Sequence, residues 1–342
     1  MGDISIENLS EYLSHHVPEL PAVTGLEKFS TGQSNPTYTL RCGPETYVLR
    51  AKPPGQLLKS AHQVEREYRV MKALEGSAVL VPRMIVLVPD AASPIGRAFF
   101  IMEMVEGRIF WDPATPELGL AERGAIYDEM NRVLASLHDV DINDAGLSDF
   151  GKPGNYFARQ TDRWSKQYLA SRTEANAEMD RLMAWLANQM PEDDGQVALV
   201  HGDFRLDNMI FAPDRPQLAA LLDWELSTLG HPLADLAYQC MQWRLPHDGG
   251  MRGLGGLDRA ALGVPDEAGY VARYCARRGI AAPANWPFYL AFAFFRLAAI
   301  LEGVVRRAKD GNASNPDTAR RYADAIPILA HEANRIIDGA PP

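Results

Sequence analysis

The stretch His201-Gly-Asp-Phe-Arg-Leu-Asp-Asn208 decides the reading of this chain, together with Leu222-Asp223-Trp224-Glu225, whose Asp223 comes fifteen residues after Asn208. Between them run Met209-Ile-Phe-Ala212, the cluster Pro213-Asp-Arg-Pro216 and Gln217-Leu-Ala-Ala-Leu-Leu222. Two short apolar runs on either side of a Pro/Asp cluster predict a β-hairpin. Such a hairpin would gather Asp203, Asn208 and Asp223 into one small volume. Carboxylate and amide oxygens at that spacing suit a hard cation and a proton acceptor. Mg²⁺ in particular favours one or two carboxylates, with substrate phosphates completing its shell.

The order His-x-Asp-x-x-x-x-Asn is the catalytic-loop pattern of kinases, where the Asp takes a hydroxyl proton and the Asn holds Mg²⁺. With Asp223-Trp-Glu-Leu-Ser-Thr-Leu-Gly-His-Pro-Leu-Ala-Asp-Leu-Ala237 behind it, the chain resembles the aminoglycoside-phosphotransferase-like superfamily of kinase-fold enzymes. Within that superfamily it is most similar to the phosphotransferase domains that stand alone in bacteria or are fused to acyl-CoA dehydrogenases. The resemblance implies an α+β, bilobal protein-kinase-like fold. Its N-lobe, a small antiparallel sheet with a helix, would occupy 1–105, and a mainly helical C-lobe 106–342. It also implies ATP and Mg²⁺ as cofactors, Asp203 as base, and Asn208 and Asp223 as metal ligands.

Length and charge agree with this reading. A chain of 342 residues is too long for one ordinary core. Its formal net charge of −10 argues against a general nucleic-acid binder, which needs a basic footprint. Cys42, Cys240 and Cys275 are scattered, so neither a disulfide framework nor a zinc site is expected, and a reducing cytoplasm is the default compartment. Asp3 and Glu7 precede any apolar run, against a signal peptide. The most apolar run, Phe288 to Phe295, meets Arg296 before it is long enough to cross a bilayer, so no membrane partner is expected.

In the first third, Ile6, Leu9, Leu13 and Val17 at helical spacing predict a helix over about 5–17. Extended segments follow at 26–30, 37–41 and 46–50. The bend between the first two carries Gly32, Ser34 and Asn35. Backbone N–H groups of such a turn can cradle phosphates, although a plain hairpin turn accounts for it equally well. The third strand ends in Arg50, where the kinase likeness places a lysine on the ATP phosphates, and Lys52 follows on the same face of an extended chain. A helix over 60–76 offers Glu67, ahead of Glu65, as the ion-pair partner of that base. After strands at 81–88 and 98–105 the resemblance places a hinge, where Glu103, Met104 and Val105 would meet adenine through their backbone.

Helices are expected near 155–172, 176–190, 266–279, 286–309 and 316–338, and a flexible loop over the glycines of 249–256. His138 and His231 read as structural, and Asp235 as a support for the catalytic loop. Arg159, Trp164, Tyr168 and Arg296, with Trp243-Arg244 and Arg306-Arg307, sketch an apolar pocket ending in positive charge. An anionic acceptor would fit it. Glu225 could assist metal or substrate. Only six residues separate Asp223 from Gly230-His231-Pro232, too few for a protein kinase's activation loop. The expected partner is therefore a small-molecule hydroxyl acceptor, such as a hydroxy acid or hydroxyacyl-CoA. Aminoglycoside, choline and homoserine-type substrates stand as alternatives, as does a catalytically inactive nucleotide-binding module, for which Arg50 is the one argument.

Overall fold

A computed structural model describes residues 4–29, 35–55, 62–248, 252–310 and 316–340, with the side chains of 316–318 left out. Gly32 and Ser34 lie outside the described residues, as does part of the glycine-rich loop. The chain divides into two compact units, Met1–Gly107 with Ala219–Ser227, and Arg108–Leu218 with Thr228–Pro342.

The first unit is built on a sheet. Helix α1 (Ile6–His16) is started by Ser5, whose hydroxyl accepts the Asn8 N–H at 3.2 Å. Strands β1 (Val23–Lys28), β2 (Thr37–Cys42), β3 (Glu45–Ala51), β4 (Met84–Val88) and β5 (Phe99–Glu103) form one antiparallel sheet in the order β1-β2-β3-β5-β4, and α2 (Val64–Leu74) leads from β3 to β4. Alternation along β3 sorts its two faces. Leu49 and Ala51 join Leu9 and Leu13 of α1 in one buried cluster with Phe99 and Ile101. Arg50 pairs in register with Phe100, whose ring meets Tyr68 of α2 at 6.3 Å, so Arg50 points to the α2 face. A one-residue slip would send that charge into the α1 core, so the register is strongly specified.

The second unit is mainly helical. It contains α3 (Leu120–His138), α4 (Tyr156–Ser171), α5 (Ala177–Asn188), β6 (Ala198–Val200) and β7 (Met209–Phe211). The hairpin predicted after the catalytic loop closes with the Ala212 N–H on the Gln217 carbonyl at 2.8 Å, and the chain passes to the other unit within β8 (Leu218–Leu221). Strand β9 (Thr228–Gly230) pairs antiparallel with β6. Gly230 is required there: a Cβ would stand 2.6 Å from the Tyr156 ring. Then come α6 (Leu233–Cys240), α7 (Arg259–Leu262), α8 (Glu267–Arg278), α9 (Trp286–Lys309) and α10 (Pro316–Ile337).

Arg296 does not end the apolar segment, contrary to the expectation from sequence. It lies buried inside α9, whose 24 residues are long and apolar enough to cross a membrane by length and composition. In the fold, 89% of its most apolar window is buried. It packs against α4, α5, α6 and α10 as the central helix of its unit.

Candidate active site

The His201–Asn208 segment leaves β6 on a support made by α6. Asp235, in the first turn of α6, accepts the N–H of His201 at 2.6 Å and that of Gly202 at 2.9 Å, one on each carboxylate oxygen. Gly202 has φ +83, a left-handed conformation that a side chain at this position would strain. Burial would raise the Asp235 carboxyl, but His138 and the backbone donors outweigh it and hold it below the usual range. Behind Asp235 stands His138, its Nε2 at 3.4 Å. Burial favours the neutral imidazole. With Nε2–H turned to Asp235, Nδ1 is left to accept the Tyr274 hydroxyl at 2.6 Å. Both residues thus support the loop, as read from sequence, with His138 one step further back than a direct contact. His231 is likewise buried and structural, its Nε2 at 3.2 Å from Asp194 Oδ1.

Asp203 sits on this platform with its carboxylate held at both ends. Oδ1 accepts the Tyr238 hydroxyl at 2.6 Å, and Oδ2 accepts Asn208 Nδ2 at 3.1 Å. Asn208 Nδ2 also donates to the Asp203 carbonyl at 2.9 Å, so its amide is oriented and Oδ1 is the face that remains for a ligand. Arg205 Nε lies 3.4 Å from Asp203 Oδ1, and its Nη2 reaches Asp207 Oδ2 at 3.1 Å. Burial pushes the Asp203 carboxyl up, but the Arg205 charge, the Tyr238 hydroxyl and the Asn208 amide more than offset it. The group is held below its ordinary range, ionised at neutral pH.

In the first unit a second constellation forms around Arg50. Its Nη2 is 2.9 Å from Asp223 Oδ1 and 3.7 Å from Glu225 Oε2, and its Nε is 2.8 Å from Glu67 Oε2. The Nε contact lies off the line of the N–H, so it is an ion pair rather than an aligned hydrogen bond. Burial alone would lower the Arg50 pKa; the three carboxylates raise it and keep the guanidinium charged. Glu67 is the partner anticipated from sequence; burial pushes its carboxyl up, against the pull of Arg50. Asp223 adopts φ 64, ψ 65, a left-handed backbone that Asp tolerates better than most residues. Unusual backbone of this kind clusters at functional sites. Its side chain is about one-third exposed (35%) despite the ion pair.

Several sequence expectations are displaced. Lys52 faces α2 as predicted but is held by Glu65 at 2.5 Å and Asp90 at 2.7 Å, away from the Arg50 cluster. Asn35 is not offered to a phosphate: it is buried, with Nδ2 on Glu67 Oε1 at 2.6 Å and Oδ1 3.0 Å from His62 Nδ1. Glu103 still belongs to β5, its N–H on the Arg83 carbonyl at 3.0 Å and its Oε1 accepting the Arg83 N–H at 2.9 Å. Met104 and Val105 follow the strand, outside it, and Met104 is exposed.

The aromatic and basic stripes resolve in the same way. Arg159 caps its own turn on the Lys152 and Pro153 carbonyls, and Tyr168 is buried. Trp243 and Arg244 are structural: the indole donates to the Pro265 carbonyl at 2.7 Å, and the guanidinium forks onto Glu267 at 2.8 and 3.0 Å. Arg306 pairs with Asp310 one turn on. Trp164 and Arg296 do come together, with the guanidinium 6.0 Å from the indole centroid, but both are buried, and Arg296 Nη1 donates to the Gly202 carbonyl at 2.8 Å. Tyr238 and Arg205 were not picked out from sequence. Arg205 stands inside the motif itself, and Tyr238 is three residues after Asp235, hence on the same helix face.

Residues 25–273 match the phosphotransferase enzyme family, APH. The chain is 47% identical to mouse (Mus musculus) acyl-CoA dehydrogenase family member 10 over 85% of its length and 27% of that protein, and 42% identical to rat (Rattus norvegicus) family member 11 over 92% of its length and 41% of that protein. It therefore spans between about a quarter and two-fifths of these curated relatives. A solved structure from Ralstonia eutropha, named as a candidate aminoglycoside phosphotransferase, is 47% identical and superposes with a TM-score of 0.88 over 99% of this chain and all of that one. A thermostable mutant of the aminoglycoside phosphotransferase APH(4)-Ia, solved with AMP-PNP and hygromycin B, shares the fold at 17% identity and a TM-score of 0.58, over 94% of this chain and 98% of that one. The chain belongs to the phosphotransferase enzyme family and is a kinase-type phosphotransferase.

Proposed function

We propose that this phosphotransferase moves the γ-phosphoryl group of ATP, with Mg²⁺, onto the hydroxyl of a small anionic acceptor. The observation that carries the reading is Asp203, fixed beside Asn208 by a hydrogen bond at each carboxylate oxygen. Asp203 takes the acceptor's hydroxyl proton on a carboxylate oxygen as the new O–P bond forms. The bond from the γ-phosphorus to its bridging oxygen breaks, and ADP leaves. Positioning and charge stabilisation dominate such a transfer. ATP is favoured because the APH(4)-Ia neighbour was solved with AMP-PNP, an ATP analogue.

Asn208 Oδ1 and the Asp223 carboxylate are each an oxygen donor of the kind Mg²⁺ prefers, and each is a candidate ligand for it. Among the described residues no group of three or more His, Cys, Asp or Glu forms a protein-only cage, an arrangement Mg²⁺ does not require. Such a cation would supply neutralisation of phosphate charge. Met104 and Val105, past the end of β5, would meet adenine through their backbone. Arg50, centred among Asp223, Glu225 and Glu67, is the phosphate-facing cation; Lys52 is not. Arg50→Ala is expected to raise the KM for ATP by roughly tenfold or more, an effect of about 1.4 kcal/mol, against less than about twofold for Lys52→Ala. Steady-state kinetics checks this order, with Arg50→Lys as the charge-preserving control. The reverse order would mean that Lys52 is the phosphate contact.

For the acceptor, Arg205 beside Asp203 places a partly exposed cation next to the base. The curated relatives are named acyl-CoA dehydrogenase family members, which favours a hydroxy acid or a hydroxyacyl-CoA. The test is ADP release from Mg-ATP with purified protein across hydroxy acids, hydroxyacyl-CoA thioesters, choline, homoserine and hygromycin B. Stimulation by the acids or thioesters is expected. Turnover of the cationic acceptors alone overturns the substrate assignment.

A further inference from the structure

We propose that Tyr238 is a positioning residue for Asp203, itself held in place by Arg296; the inference rests on Asp203 being the base. The three side chains form one continuous contact. Tyr238 donates its hydroxyl to Asp203 Oδ1 at 2.6 Å. The Arg296 guanidinium lies over the Tyr238 ring, 5.7 Å from its centroid, and over the Trp164 ring at 6.0 Å. The same guanidinium donates to the carbonyl of Gly202, the residue before Asp203. Tyr238, Arg296 and Trp164 are 8%, 7% and 7% exposed, so none of them is free to swing.

This arrangement fixes what a carboxylate on a loop otherwise lacks, namely the rotation of its plane. A base must present one oxygen within hydrogen-bond reach of the hydroxyl it deprotonates, and misplacement is costly. Asn208 holds Oδ2 by a 3.1 Å bond. That single bond allows the carboxylate to turn about it. The short Tyr238 bond on the other oxygen, which also has Arg205 Nε at 3.4 Å, removes the freedom, while Oδ2 keeps a second lone-pair site for the incoming proton. Arg296 steadies the system from two sides, since it anchors the main chain before Asp203 and packs the face of the ring that anchors its side chain. A buried guanidinium within reach of two aromatic rings is held by cation–π attraction as well as by its hydrogen bond. The positive charge in the middle of α9 is thereby accounted for without an acceptor anion.

A merely structural Tyr238 would be a core ring, and Phe would serve as well. Tyr238→Phe keeps the ring and its packing, so the variant should fold with a Tm close to that of the wild type. A hydrogen bond to a charged group contributes enough that its loss should lower turnover by roughly tenfold to a hundredfold, with the KM for ATP within about twofold. Mg-ATP hydrolysis, with water as acceptor, supplies the turnover. The second readout needs neither substrate nor metal: in crystals of the ligand-free variant, the Asp203 carboxylate should turn by more than about 30° from its wild-type orientation, a full departure from its rotamer well. Arg296→Met, which keeps apolar bulk and drops the Gly202 contact, should move both readouts the same way. Asp203→Asn is run beside them. If it loses turnover while Tyr238→Phe keeps both turnover and the Asp203 orientation, the positioning role is wrong and the base stands. A change in only one of the two Tyr238→Phe readouts also overturns it. If Asp203→Asn itself keeps full turnover, the base assignment fails first. The crystallographic arm decides the matter where hydrolysis is too slow to measure.

Discussion

Asp203→Asn should lower kcat by roughly 10²–10⁴-fold, the span usual for removing a general base, with ATP affinity little changed. The substitution is close to isosteric, and the surroundings can accept it. Asn208 Nδ2 requires an acceptor opposite it, so the new amide would present its oxygen there. Its NH₂ would then face the Tyr238 hydroxyl, which can rotate from donor to acceptor. The fold should therefore survive, and the loss should appear in turnover rather than in Tm. What disappears is the negative charge beside Arg205 and the lone pair that receives the proton. Because Arg205, Tyr238 and Asn208 hold the wild-type carboxyl below its ordinary range, the base is ionised throughout neutral pH, and the deficit of the variant should be nearly the same across that range. Near-wild-type turnover of the identified acceptor would remove Asp203 from the mechanism.

The features legible in the sequence were those whose spacing admits one physical solution. Glu67 could be matched to Arg50 because strand alternation and helix phase both point to the space between β3 and α2, where a buried charge needs a partner. Asp235 could be placed against the catalytic loop because Gly230-His231-Pro232 stops the chain just before a helix, and the first turn of that helix must face something. The aromatic-plus-arginine stripes had no such uniqueness. Trp243 with Arg244 and Trp164 with Arg296 look the same in sequence whether they line a pocket or fill a core; Trp243, Trp164 and Arg296 are buried, and Arg244 is half-buried on Glu267. Arginine is hard to read for a further reason: its several donors can satisfy main-chain carbonyls, as Arg296 does at Gly202 and Arg159 at Lys152. The partners of Lys52 and Asn35 were not legible because the carboxylates that hold them, and the His62 imidazole at Asn35, come from segments up to 38 residues away.

The Arg50 cluster makes the second large effect specific. Asp223→Ala should abolish the gain in ATP affinity that Mg²⁺ provides, by at least about 10²-fold, since even loss of groups that only orient a metal's ligands commonly costs about 10–100-fold in metal affinity. Two effects must be separated in that variant. Asp223 sits at φ 64, where Ala is less well tolerated than Asp or Asn, so part of any loss could come from backbone strain. Asp223→Asn removes the charge and keeps a residue suited to the left-handed conformation, and it isolates the metal contribution. Arg50 remains paired in either case, because Glu67 is 2.8 Å from its Nε and Glu225 3.7 Å from its Nη2. The guanidinium is thus not left buried and unpaired, and the first unit should keep its fold. Calorimetric titration with ATP, with and without Mg²⁺, reads the result directly. Both variants should bind ATP with nearly the same affinity in the two conditions, whereas the wild type should not. If Asp223→Asn keeps the full Mg²⁺ dependence and only Asp223→Ala loses it, the residue matters for the shape of the turn, and the metal is held elsewhere.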